Sequence, residues 1–293
     1  MSVYRGRFAP SPTGPLHFGS LFAAVISFLD AQHNNGEWLV RIEDIDPLRE
    51  QANASKKIIE TLECHALVPD NEIIYQSSRN KLYEKTLALL EDKALAYKCP
   101  CSRNYLKQHN GLHQADCQKQ SFQTSNYAVK FKVAQTSFEQ YPLIWDDQFQ
   151  GVQTRLLSED FVLKRKEGFF AYQLAVVCDD IEQGITNVVR GFDLLESTPM
   201  QLAIYQALGY PSPRFAHFPV ITFKNGQKLS KQNKAKAINN THALANLLQV
   251  FSYIGLNLKH QPDNCKNALN EALECWDVKF LLEKSELKQV SQY

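Results

Sequence analysis

The 293-residue chain has almost no net charge, because 32 Lys and Arg oppose 31 Asp and Glu and leave +1. A global field of either sign, as expected of a protein that coats nucleic acid or an anionic membrane, is excluded, so any polyanion site must be local. Long hydrophobic runs are missing as well. The longest apolar stretch, Leu21 to Leu29, falls far below the ~20 residues needed to cross a bilayer. Met1-Ser2-Val3-Tyr4-Arg5 leads into a proline-rich turn rather than an apolar signal core, so no membrane partner is expected and the expected location is the cytoplasm. Seven cysteines, an odd number in a chain this long, argue against a disulfide scaffold and for a reducing compartment. The two phosphate-loop signatures, G-x-x-x-x-G-K-[ST] and G-x-G-x-x-G, are both absent, so if ATP binds, another arrangement holds it.

What is present reads as an α/β chain. Arg5 to Ala9 is strand-like and stops at Pro10, Pro12 and Pro15; from Gly19 onward Leu21, Phe22, Val25, Ile26 and Leu29 recur at helical spacing. Glu37 to Ile42 is again strand-like, and a helix is expected from about Glu50 to Leu67. Alternating strands and helices imply a parallel sheet with crossovers. From Cys99 the pattern turns polar and Gln-rich, with β-like pieces such as Tyr127 to Val133, and the alternation resumes with Asp160 to Lys164, a helix over Phe169 to Asp180 and a strand over Thr186 to Gly191. The expected organisation is a split core, 1–98 with 160–240, an inserted domain at 99–159, and a helical tail at 241–293. Residues 201 to 262 contain no Asp or Glu, whereas Arg214, Lys224, Lys228, Lys231, Lys234 and Lys236 lie within 201 to 240. A solvated basic face and a polyphosphate site both account for that imbalance.

Three constellations carry chemistry. In Arg7-Phe8-Ala9-Pro10-Ser11-Pro12-Thr13-Gly14-Pro15-Leu16-His17-Phe18-Gly19-Ser20, prolines and glycines fix a sharp turn off a strand and bring His17 to a helix N-terminus, a setting suited to an anionic phosphate chain. Lys228-Leu229-Ser230-Lys231-Gln232 offers two lysines that can neutralise triphosphate oxygens and departing pyrophosphate. Cys99-Pro100-Cys101 with His113 and Cys117 has the ligand types and spacing of a closed, four-coordinate structural zinc site, one per chain, with His109 as a competitor for His113.

Together the histidine and lysine segments resemble the HIGH and KMSKS signatures of class I aminoacyl-tRNA synthetases. The glutamyl and glutaminyl branch is resembled in particular by Arg7 to Gly14, Arg41-Ile42-Glu43-Asp44-Ile45-Asp46, Arg190-Gly191 with Ser197-Thr198-Pro199, and His217-Phe218-Pro219. The resemblance covers residue 3 to about 235. It implies a Rossmann-like catalytic core, with ATP and Mg²⁺ handled by Arg7, Ser11, His17, Gly19, Lys228 and Lys231. It also implies L-glutamate held by Arg190 at the side-chain carboxylate, Glu43 and Tyr172 near the α-amino group, and Arg7 and Ser11 between amino acid and ATP. Two cations and one anion match the charges of glutamate, and arginine suits a planar carboxylate. Surface ion pairs are the alternative for Asp44 and Asp46. The family's C-x-C…Y-x-x-x-C zinc pattern points to His113, at the tyrosine position, over His109.

Only 61 residues follow Gln232, enough for a small helical stem-contact-like region but not for an anticodon-binding domain. The chain thus resembles the shortened bacterial paralogues of glutamyl-tRNA synthetase, which carry Arg-Gly-x-Asp-Leu-Leu where Arg190 to Leu195 stand here and join glutamate to the queuosine base of tRNA(Asp). That resemblance implies a monomer whose partners are L-glutamate, ATP and tRNA(Asp) carrying queuosine. A minimal glutamyl- or glutaminyl-tRNA synthetase charging the tRNA 3′ end is the alternative.

Overall fold

The structure is a computed structural model that describes residues 3–109, 126–133, 136–219, 221–222, 236–282 and 287–288. Strand β1 (Arg5–Phe8) runs into the prolines, and helix α1 (Phe18–His33) begins where His17 caps it, its Nδ1 accepting the Ser20 backbone N–H at 3.1 Å. That bond satisfies one of the donors every helix start leaves open. Leu21, Phe22, Val25, Ile26 and Leu29 are all fully buried, as their spacing predicts. Strand β2 (Glu37–Ile42) enters through Gly36, where a Cβ would lie 2.4 Å from the Tyr4 carbonyl oxygen, so only glycine lets β2 begin against β1.

The chain continues through α2 (Ala54–Cys64), β3 (Ile74–Tyr75), α3 (Asn80–Asp92), β4 (Ala96–Cys99), α4 (Arg103–Gln108) and β5 (Ala128–Phe131). A hairpin of β6 (Leu143–Asp147) and β7 (Gly151–Arg155) precedes β8 (Phe161–Lys164), α5 (Tyr172–Glu182), β9 (Asn187–Gly191) and α6 (Thr198–Leu208). Then come β10 (Arg214–Phe218), β11 (Ile221–Thr222), α7 (Ala243–Ile254), α8 (Cys265–Cys275), α9 (Lys279–Leu282) and β12 (Leu287–Lys288), which pairs in parallel with β11.

β1, β2 and β3 pair in parallel in the order β1-β2-β3, and β10 pairs in parallel with both β9 and β6. The two groups adjoin where the Thr186 N–H donates to the Arg5 carbonyl at 3.0 Å. The main parallel strands therefore lie side by side with helices packed on them, and β4-β5-β8 forms a separate antiparallel sheet.

Strand pairing crosses the boundaries expected for an insertion at 99–159. β6 lies inside that segment yet pairs with β10, while β8, just beyond it, pairs with β5. Helix α2 is shorter than the apolar spacing predicts. Asn53 takes a left-handed φ of 60° and the Gln51 N–H donates to the Pro12 carbonyl, which ties the chain to the first turn instead of extending the helix. Helix α5 likewise starts at Tyr172, after Ala171 takes extended backbone. The tail is no separate layer, because Leu247, Val250, Phe251 and Ile254 from α7 and Ala268, Leu269 and Ala272 from α8 share one core cluster with α1. No described helix is long and apolar enough to cross a membrane.

Candidate active site

The C-terminal ends of the parallel strands face one cleft of about 680 Å³. Ligands enter open α/β sheets at such strand ends because loops and helix N-termini converge there. Arg7, Ser11, His17, Gly19, Tyr172 and Arg190, all expected from the sequence, line it together, with Thr13, Arg49 and Asp193 as further polar walls.

The first turn is held from below, the Glu43 N–H donating to the Pro10 carbonyl at 3.0 Å. Because the His17 Nδ1 accepts from the Ser20 N–H, the ring proton belongs on Nε2, which lies 3.1 Å from the Ser20 hydroxyl. The imidazole thus stands at the start of α1 beside the backbone donors of its first turn, where the helix dipole favours an anion.

Arg7, 4% exposed, donates from Nε to Asp180 of α5 at 3.3 Å. Arg41 lies fully buried behind it, 2.8 Å from Asp180 and 3.6 Å from Asp179. Asp179 in turn accepts from Gln76 and Arg79, at 2.6 Å each, and from the Tyr83 hydroxyl. Burial alone would raise the Asp180 carboxyl, but Arg7 and Arg41 hold it below the usual carboxylate range. Burial would lower the Arg41 guanidinium, and Asp180, Asp179 and Glu43 hold it above its ordinary value instead. This lattice of charges fixes the wall from which Arg7 faces the cleft.

Glu43 is buried and does not line the cleft. Its Oε1 lies 3.5 Å from Arg41 without accepting a hydrogen bond, and burial pushes its carboxyl up to about 7 against the pull of Arg41 and Arg7. A buried carboxylate with spare acceptor capacity suits a cation.

At the opposite wall Arg190, 5% exposed, is hydrogen-bonded on every side. Nε donates to His217 at 2.9 Å, Nη1 to Gln201 at 2.9 Å and Tyr172 at 3.4 Å, and Nη2 to Thr198 at 2.8 Å. Among the described residues every one of these partners is uncharged and no carboxylate reaches ion-pair distance. Burial holds the Arg190 guanidinium below its ordinary value. A buried cation without a counter-ion attracts an anionic ligand group.

Sequence reasoning gave no role to Asp180, Asp179, Gln201, Thr198, His217 or Asp147. Thr198 and His217 lie in segments that carried the family resemblance, which was the available signal; Asp147 lay in a stretch read as insertion. Lys228 and Lys231 of the lysine segment lie outside the described residues, as do His113 and Cys117. Cys99 and Cys101 are 1% and 6% exposed and pack with Tyr97, Tyr105 and Leu106, away from the cleft lining. Among the described residues no group of three His, Cys, Asp or Glu is arranged to hold a metal.

Comparison with known proteins shows the family. Residues 3–247 match the family described as tRNA synthetases class I (E and Q), catalytic domain. The chain is 42% identical over 98% of its length to a protein of Vibrio parahaemolyticus named glutamyl-Q tRNA(Asp) synthetase, covering 97% of that protein. One of the same name from Neisseria meningitidis is 42% identical over 94% of this chain and 96% of its own. Among solved structures, the glutamate tRNA ligase of Elizabethkingia meningosepticum, in complex with its amino acid, superposes with a TM-score of 0.77 at 24% identity over 97% of this chain. The present chain spans only 66% of that longer one. The parallel sheet with its flanking helices is thus the Rossmann-like catalytic fold of that class. The chain belongs to the class I tRNA synthetases of the glutamate and glutamine type, in the group of the glutamyl-Q tRNA(Asp) synthetases, and is a ligase of the aminoacyl-tRNA synthetase type.

Proposed function

We propose that this enzyme activates L-glutamate with ATP in the absence of tRNA and transfers the glutamyl group to the queuosine base at the wobble position of tRNA(Asp). The observation that carries the amino-acid half is Arg190, a buried guanidinium held by neutral partners and open to the cleft. It supports a carboxylate-bearing side chain over an amide, since an amide would leave the buried charge without a counter-ion. Glu43, set behind the cleft wall with its Oε1 orphaned, supports a substrate ammonium through its charge rather than by lining the cleft, with Tyr172 adding its hydroxyl at the wall. Arg7 and Ser11 would lie between the amino acid and ATP, and His17 and Gly19 would meet the phosphate chain. Lys228 and Lys231, with Mg²⁺, are expected to meet the leaving pyrophosphate.

In this reading an oxygen of the α-carboxylate attacks the α-phosphorus of ATP, the bond to the β,γ-diphosphate breaks, and glutamyl-adenylate and pyrophosphate form. Positioning and charge stabilisation then contribute most of the rate. A hydroxyl of queuosine next attacks the adenylate carbonyl, losing its proton, and AMP leaves as the ester forms. Queuosine as acceptor rests on the names of the relatives and on the match to nearly their whole length.

A structural zinc held by Cys99, Cys101, His113 and Cys117 belongs to the same reading. The two described thiols fit it, being buried on one turn whose Pro100 carbonyl accepts from Lys166 at 2.6 Å. Bound zinc would clamp that turn and take no part in the chemistry.

The test offers purified enzyme, ATP and labelled glutamate to tRNA(Asp) with queuosine or with guanosine at the wobble position. Glutamylation of the queuosine form alone, within the anticodon arm, is expected. Glutamylation of the unmodified RNA, or at the 3′ end, would overturn the reading in favour of a minimal charging synthetase.

A further inference from the structure

His217 lies in a segment that resembles the family, yet it is fully buried and is not part of the cleft lining. Among the described residues its ring meets the cleft lining through Arg190, whose Nε–H donates to the His217 Nε2 at 2.9 Å, with the Thr198 hydroxyl 3.3 Å from the same nitrogen. For that bond Nε2 must carry a lone pair, so the ring proton must be on Nδ1. Asp147 supplies the reason. Its Oδ2 accepts from Nδ1, while its Oδ1 accepts backbone N–H groups of His217 at 3.0 Å, Gln150 at 3.1 Å and Phe149 at 3.2 Å. Four donors converge on one buried carboxylate, which keeps it ionised.

We propose that Asp147 and His217 are a positioning pair which fixes the imidazole tautomer, presents Arg190 with an uncharged acceptor, and so keeps the Arg190 charge available to the side-chain carboxylate of the substrate. The inference rests on the reading of Arg190 given above and adds to it the device that sets its orientation and charge. A carboxylate directly at position 217 would pair with Arg190 and cancel its charge. A cationic or Nε2-protonated histidine would turn a donor against a donor. The neutral ring between Asp147 and Arg190 avoids both, and it is clamped, since Phe215 stacks on it at 15° and the Arg190 guanidinium lies over the Phe215 ring at 5.1 Å.

The charged groups facing the imidazole are Asp147 from β6, Arg190 from β9 and Arg7 from β1. Burial holds His217 below the ordinary histidine value, opposed by the bond to Asp147, and burial's upward push on Asp147 is overcome by its donors, so the pair is carboxylate and neutral imidazole at neutral pH. Asp147 comes from the segment expected to be an insertion, so that segment reaches the amino-acid pocket through one buried strand pairing, Phe215 against Asp147.

Asp147→Asn tests the pair. The three backbone N–H groups would claim the amide oxygen, the amide nitrogen would donate to Nδ1, and the ring proton would move to Nε2 against Arg190, as tautomer reversal does when the aspartate of a catalytic triad becomes asparagine. In glutamate-dependent pyrophosphate exchange the KM for glutamate should rise about tenfold or more, with the KM for ATP unchanged. His217→Gln, whose amide oxygen can accept from Arg190, should stay within about threefold of wild type in the same assay. In ¹⁵N-histidine spectra of the wild-type enzyme, the signal lost in His217→Gln should report a neutral ring protonated on Nδ1. A wild-type glutamate KM in folded Asp147→Asn, equal losses for glutamate and ATP, or a ring protonated on Nε2 would overturn the pairing role. Wild-type enzyme that exchanges with glutamine rather than glutamate would instead overturn the reading of Arg190 beneath it.

Discussion

Glu43 is the residue through which pH should act on substrate binding. Its carboxyl is pushed up to about 7 by burial, so a large share of the free enzyme carries it neutral at neutral pH. A bound ammonium stabilises only the carboxylate. Glutamate binding should therefore expel a proton, and affinity should rise as pH climbs through 7 and level off above it. Folding has the opposite dependence, because an acid with a raised pKa holds more protons in the folded state. This residue's contribution to the empty enzyme therefore diminishes between its ordinary value of 4.5 and about 7. Calorimetric titration with glutamate at pH 7, in buffers of different ionisation heat, should show net release of a fraction of a proton per site. Glu43→Gln should abolish that release and weaken binding, and a wild-type titration with no buffer dependence would remove Glu43 from this role. At this scale Arg7, His17 and Arg190, which the structure brings to one cleft, stand inside segments that carry the family resemblance, whereas Tyr172 entered only as what that resemblance implies. Asp180 and Asp147 were not legible in the sequence, since they meet Arg7 and His217 across 173 and 70 residues of chain, a proximity created only by sheet order.

Helix α1 and strands β1 and β2 follow directly from apolar spacing and proline placement, whereas the start of α2 depended on a tertiary bond to the first turn that no local pattern records. The same limit applies to α7, readable as a helix but not as an anchor. Its Asn246 donates from Nδ2 to the fully buried His65 at the end of α2 and to the Asn239 carbonyl, both at 3.1 Å. His65 donates from Nδ1 to the Thr61 carbonyl at 2.6 Å, which leaves Nε2 as the acceptor Asn246 requires. Asn239 follows Ala237 and Ile238, which bridge to His17 and Leu16 at the cleft. One amide thus ties α2, α7 and the segment beside His17 together. Asn246→Ala should leave the His65 Nε2 without its donor and destabilise the fold by about 1–3 kcal/mol, read as a lower urea midpoint. Burial also keeps His65 below its ordinary value of 6.5, so its contribution to stability is present above that pH and lost as the medium turns more acidic. An unchanged midpoint in the variant would mean that the three elements are held by apolar packing alone.

At the scale of the whole molecule, the cleft and the cysteine turn lie apart. The cleft opens at the ends of parallel strands, while Cys99 and Cys101 sit on the antiparallel sheet β4-β5-β8 and its following turn, with none of the cleft lining among their cluster. The change from a parallel to a polar, irregular pattern at Cys99 was visible in composition. That β6 returns to the main sheet was not, because a five-residue strand shows its partner only in three dimensions. If zinc clamps the cysteine turn, its loss should loosen the surface around that turn and leave the cleft largely intact. Enzyme prepared without chelators should contain one zinc per chain by elemental analysis, and Cys101→Ser should lower that content together with the melting temperature. Glutamate-dependent pyrophosphate exchange in the same variant should persist within a few-fold, whereas glutamylation of queuosine-bearing tRNA should fall by a larger factor. In the proposed function RNA contact would fall to the clamped side, and adenylation would rest on Arg7, His17 and Arg190, which are held by Asp180, the α1 N-terminus and the His217 pair. Zinc-free protein with full transfer activity would remove the metal from this architecture. Equal loss of exchange and transfer would mean that the antiparallel sheet supports the cleft directly, through β8 and α5, rather than serving the RNA.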